Sequence, residues 1–227
     1  RRHTRLQGDW SSDVCSSDLV NKSLTIKTIA NEMEKVLRRK YDVEITINKS
    51  SRVPSGSIIV NAWYDVDNDK TEGDFAIGLE FLASDPEVLL NLTDEQWKKF
   101  SNEVADAIQH EYLHMSQYRN RDFVKSSKYQ PDISKEIKDL YNSQVYLGNS
   151  DEIEAYALNI SNELLVKYRT KQKAISNLKR LDKSLFNASP NLFAYFIAFN
   201  FDSRHPVIRK LLKKVLLYIE SQRPSKK

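Results

Sequence analysis

Thr93-Asp94-Glu95-Gln96-Trp97-Lys98-Lys99-Phe100-Ser101-Asn102-Glu103-Val104-Ala105-Asp106-Ala107-Ile108-Gln109-His110-Glu111-Tyr112-Leu113-His114 is the stretch on which the fold turns. Thr93 with Gln96 three residues on has the form of a capping box, which starts a helix by satisfying its orphan N–H groups. Trp97, Phe100, Val104 and Ile108 then recur at helical spacing. The pattern predicts one long helix carrying His110 and His114 as an i, i+4 pair, so their imidazoles project from one face. Two neutral imidazoles so placed can occupy two corners of a tetrahedral metal site, and Zn²⁺ is the expected cofactor. Glu111 lies about 100° further round the helix. It falls beside the metal, where its carboxylate can take the proton of a bound water whose pKa the metal lowers to about 7.

Upstream, Leu24, Ile29, Met33, Val36 and Leu37 predict a helix over 23–39. Val43–Ile47 and 57–66 have the composition of strands, 67–73 that of a polar turn, and Phe75, Ile77, Leu79 and Phe81 alternate as a third strand. Asp65, Asp67 and Asp69 mimic the start of a calcium loop. Lys70 replaces the required glycine and Ala76 the bidentate glutamate, so a solvated hairpin is expected. Downstream, helices are expected over 133–146, stopped by Gly148, and over 151–168, capped by Ser150 or Asp151. Basic helices over 171–183 and 205–220 flank an apolar segment, 192–201. A helix, three strands and then helices predict an α+β fold with a small antiparallel or mixed sheet on the motif helix.

Residues 1–19 resemble, in order, a translated sequencing adapter, and are expected to be no part of the native design. The single cysteine, Cys15, lies there. Without it, disulfide scaffolds and thiolate catalysis drop out. Of four histidines, His3 also lies there, leaving His110, His114 and His205. Residues 20–166 carry 17 Lys+Arg and 25 Asp+Glu, whereas 167–227 carry 15 and 3. That asymmetry suggests a catalytic domain over 20–166 and a basic helical extension over 167–227, packed on the same domain. No apolar run is long enough for a membrane helix. A cytoplasmic or virion-associated place is expected over a secreted one.

The metal needs a third ligand. His205 is the remaining histidine, and Asp151-Glu152-Ile153-Glu154-Ala155-Tyr156-Ala157 opens a helix rich in carboxylates. Ile153, Ala157, Ile160 and Leu164 form its apolar stripe, and Glu152 and Glu154 flank it on opposite sides. Geometry leaves both open. Together, His110-Glu111-Tyr112-Leu113-His114 and Glu152-Ile153-Glu154-Ala155 resemble the gluzincins, HExxH zinc peptidases whose third ligand is a glutamate in a Glu-x-x-Ala or Glu-x-x-Ser pattern on a later helix. The likeness covers roughly residues 40–165. It extends to minimal zincins of phages and bacteria with HExxHxxQ, in which Gln117 supplies the glutamine.

The resemblance implies a zincin-like fold and metal-assisted hydrolysis of a peptide or protein. It implies ligands His110, His114 and Glu152, with Glu154 as the alternative, and Glu111 as general base. Glu152 also sits in the first helical turn, where the helix dipole favours a carboxylate. Tyr156 stands where the family has an Asp or Asn. Tyr146, Tyr156 and His205 are candidates to hold the oxyanion. The strand before the motif helix, with Ala76 and Gly78, is expected to form the rim of the cleft, as an open edge that pairs with substrate. A second expectation is a non-catalytic zinc protein whose basic C-terminal helices hold nucleic acid or an acidic partner.

Overall fold

The computed structural model describes residues 23–132, 134 and 137–222; the adapter-like residues 1–19 and the basic residues Arg223, Lys226 and Lys227 lie outside them. The chain divides into two compact units, Arg1–Phe123 and Val124–Lys227. That division falls inside 20–166, the stretch that the charge asymmetry sets apart. Residues 124–166 share a core with 167–222, a long-range packing that a change in charge does not report. Among the described residues no helix is long and apolar enough to cross a membrane.

The first unit is α+β. Strand β1 (Ser23–Thr25) leads into helix α1 (Ile26–Tyr41), followed by β2 (Val43–Lys49), β3 (Ile58–Tyr64), a short α2 (Val66–Lys70), β4 (Ile77–Ala83), β5 (Leu89–Asn91) and α3 (Asp94–Arg119). Thr25 caps α1 by accepting from the Thr28 N–H, and Asp42 ends it in the left-handed region at φ 52°. Ile26, Ile29, Ala30, Met33 and Leu37 form its buried stripe. They share a core with Ile77, Leu79, Phe81 and Ala83 of β4 and with Trp97, Phe100, Val104 and Ile108 of α3. The alternation in β4 thus marks its core face, as period-2 patterning requires.

The sheet runs β2-β4-β3, with β2 parallel and β3 antiparallel to β4. The strand expected to offer an open edge is therefore the central one. Its N–H and C=O groups already serve two neighbours, so the edge-strand argument for a substrate rim at Ala76 and Gly78 fails. Ala76, just before the strand, accepts the Asp65 N–H at 2.8 Å. Gly78 gives no open approach either, since a Cβ built there would lie 2.1 Å from the Trp63 indole. Alternation identifies a strand's faces but not its neighbours. Strands β1 and β5 pair antiparallel as a separate ribbon. At three residues each they are too short for periodicity to reveal.

The aspartate-rich stretch is not a solvated hairpin. Asp65 caps α2, accepting from the N–H groups of Asp67 and Asn68. Asp69 is buried and takes the Arg119 guanidinium as a fork, with Nε to Oδ2 at 2.9 Å, and also the Tyr64 hydroxyl at 2.6 Å. These bonds tie the end of α3 to the β3–β4 connection. The Arg119 hydrogen bond, more than its charge alone, holds the Asp69 carboxyl below the usual 3.8.

A group whose folded pKa is depressed adds stability above its unfolded pKa and loses it as pH falls through the folded value. Asp69→Ala is therefore expected to destabilise by about 2–3 kcal/mol at pH 7, less than a fully buried pair because water reaches Arg119. The charge-dependent part of the deficit should vanish once wild-type Asp69 is protonated, well below pH 3.8. Urea unfolding at pH 7 and pH 2 measures both, and equal midpoints at pH 7 would overturn the assignment.

The second unit is helical: α4 (Lys138–Leu147), α5 (Ser150–Tyr168), α6 (Lys171–Arg180), α7 (Lys183–Ala188), α8 (Pro190–Ala198) and α9 (Pro206–Ser221). Asn149, and not Ser150 or Asp151, caps α5 by accepting from the Asp151 N–H. Ile153, Ala157, Ile160 and Leu164 are all buried, as their spacing predicts. They pack with Leu192, Tyr195 and Phe196 of α8 and Ile208, Leu211 and Val215 of α9. The apolar segment 192–201 is thus mostly the core helix α8.

Candidate metal centre

Helix α3 begins where the sequence places its start. The Thr93 hydroxyl accepts from the Gln96 N–H and the Gln96 side chain accepts from the Thr93 N–H, a complete capping box. His110 and His114 follow on its buried side, 7% and 9% exposed. Their ring centroids are 4.7 Å apart, with the planes at 75°. His114 Nδ1 lies 2.9 Å from Gln117 Oε1. With that nitrogen donating its proton to the amide oxygen, Nε2 carries the lone pair, which is the tautomer a metal ligand needs. Gln117, three residues on, is thus the partner of His114 Nδ1.

Glu111 is half-buried between the histidines in sequence. The Tyr112 hydroxyl donates to the Tyr41 carbonyl at the end of α1. Burial pushes the Tyr112 phenol up to about 12, so it stays a neutral donor at any ordinary pH. The motif helix is thus fixed at its centre by Tyr112 and at its end by Arg119.

In the second unit, Glu152 lies in the first turn of α5 among three phenols. The Tyr146 ring is half exposed, but burial of its hydroxyl end, together with the Glu152 charge and hydrogen bonds to Tyr156 and Glu152, raises its pKa strongly. Tyr146 and Tyr156 meet edge to face at 6.3 Å, and Tyr156 and Tyr195 at 5.6 Å. Tyr195 is fully buried. The sequence singles out Tyr146 and Tyr156 but not Tyr195, which sits in the apolar run of α8 and has no local mark of a polar role.

Glu154, on the opposite flank of α5, has other partners: Lys214 Nζ at 3.1 Å and the Tyr218 hydroxyl at 3.2 Å. His205 caps α9, its Nδ1 accepting the Val207 N–H at 3.3 Å, and its ring packs on Phe199 at 4.6 Å. Both residues thus have structural work, a distinction that spacing alone could not supply. No protein-family model, no curated protein and no solved structure matches the chain.

Proposed function

We propose that the chain is a zinc-dependent peptidase of gluzincin type, with His110, His114 and Glu152 as ligands and Glu111 as the general base. The observation that carries the reading is the buried pair His110 and His114, one helical turn apart, with His114 oriented by Gln117. Partners fixed in this way set the tautomer and the aim of a ligand before metal arrives. By their chemistry His110 and His114 would each offer an imidazole nitrogen, and Glu152 a carboxylate oxygen. Two nitrogens and one carboxylate oxygen suit Zn²⁺ and leave a fourth position for water or substrate. When bound, the metal supplies a polarised carbonyl and a water of lowered pKa. Glu111 then takes the water's proton and can pass it to the leaving amine. Tyr156 would donate a hydrogen bond to the developing oxyanion.

The test is metal analysis of purified, dialysed protein together with a mixed peptide substrate. About one zinc per chain and chelator-sensitive hydrolysis are expected. Protein that stays metal-free when offered zinc would sink the reading.

A second reading has its own observation. Lys173, Lys179 and Arg180 on α6 and Arg209, Lys210 and Lys213 on α9 are exposed. In this reading the zinc is structural and these two helices hold a polyanion such as nucleic acid. Binding to a DNA duplex that weakens steeply with salt, in protein with no peptidase activity, would favour it.

A further inference from the structure

The Tyr195 hydroxyl is fully buried and meets no hydrogen-bond partner. Leaving a buried phenol unsatisfied costs stability, so a native core that keeps one calls for an explanation. Phenylalanine would fill the same space without the cost, and the neighbouring core positions Phe196 and Phe199 are phenylalanines. The surroundings supply a reason. Tyr195 packs on Tyr156, and Tyr156 lies one helical turn after Glu152 on α5. Helices α8 and α4 both pack against α5, bringing Tyr195 and Tyr146 to the same end of it. Tyr146 is hydrogen-bonded to both Tyr156 and Glu152.

We propose that Tyr195, with Tyr146, is a positioning residue for Glu152: the two phenols form a collar that fixes the carboxylate for metal binding. This rests on the zinc reading above. A glutamate has three rotatable bonds, and a ligand on such a stem is held to one geometry only if its second oxygen is also engaged. The collar supplies O–H donors at the place where Tyr156 stands for the family's Asp or Asn. In the metal-free protein Tyr146 engages the carboxylate, and the unsatisfied Tyr195 hydroxyl is a second donor held in reserve for it as the ligand geometry is taken up.

The consequence is a pair of effects of opposite kind. Tyr195→Phe in the full chain should leave the thermal midpoint of the metal-free protein unchanged or raised. The same change should weaken zinc binding about 10-fold or more, and shift the visible spectrum of the Co²⁺-loaded protein. Tyr168 provides the control, because its hydroxyl is also buried and unpartnered in the same unit. Tyr168→Phe should leave zinc affinity and the Co²⁺ spectrum at wild-type values. If Tyr195→Phe cannot be folded, Tyr146→Phe tests the collar from its half-exposed side and should weaken zinc binding by a similar factor. Equal zinc affinity in wild type, Tyr195→Phe and Tyr146→Phe would overturn the collar and leave the zinc reading standing. Equal losses in Tyr195→Phe and Tyr168→Phe would reduce the effect to packing and overturn it too. A wild type that binds no zinc overturns both.

Discussion

Glu111→Gln is expected to retain about one zinc per chain and lose about 10²–10⁴-fold in kcat, the usual contribution of a general base. The change keeps size and polarity and removes only the capacity to accept a proton. Glu111 is next to His110 in sequence but about 100° round the helix from it, so it is not expected among the ligands. Zinc content and Co²⁺ spectrum should therefore stay near wild type. KM should change little, because the lost interaction belongs to the transition state. A variant cleaving peptide at the wild-type rate would remove Glu111 from the mechanism. A variant that loses its metal would make it a ligand.

The second large effect separates two carboxylates two residues apart. Glu152→Ala is expected to weaken zinc binding by more than about 100-fold, since a lost ligand costs more than a lost outer partner. Glu154→Ala should leave zinc affinity at the wild-type value. Its pair with Lys214 is partly solvated, with side chains 27% and 36% exposed. Removing Glu154 should cost only up to about 1 kcal/mol of stability, and less in high salt. Zinc competition with a chromophoric chelator measures the first effect and denaturant unfolding the second. Exchange of the two outcomes would move the ligand to Glu154.

What the sequence revealed here is local, and what it concealed is long-range. The capping box, the motif helix, the faces of β2 and β4 and the stripe of α5 all follow from periods of two or 3.6 residues. The sheet order does not, because pairing partners are not encoded in any one strand. That is why β4 was expected at an edge and lies at the centre. Asp69 is similar: nothing near it marks burial, and its partner Arg119 is 50 residues away. His110, His114 and Gln117 were legible as neighbours because one helix carries them all. Tyr195 was hidden because an isolated tyrosine in an apolar run signals only packing.

The place of β4 also affects how the chain is made. It is last of the three sheet strands in sequence and middle in space, so β2 and β3 have no native sheet partner until residues 77–83 exist. At about 5–20 residues per second, synthesis takes roughly 1–4 s to pass from the end of β3 to the end of β4. During that interval two strands bearing Ile45, Ile47, Ile58, Ile59 and Val60 stand with open edges on the nascent chain. Such edges recruit one another between chains. The yield of soluble protein should therefore depend on how quickly residues 50–83 are translated, although the finished molecule carries no trace of that delay.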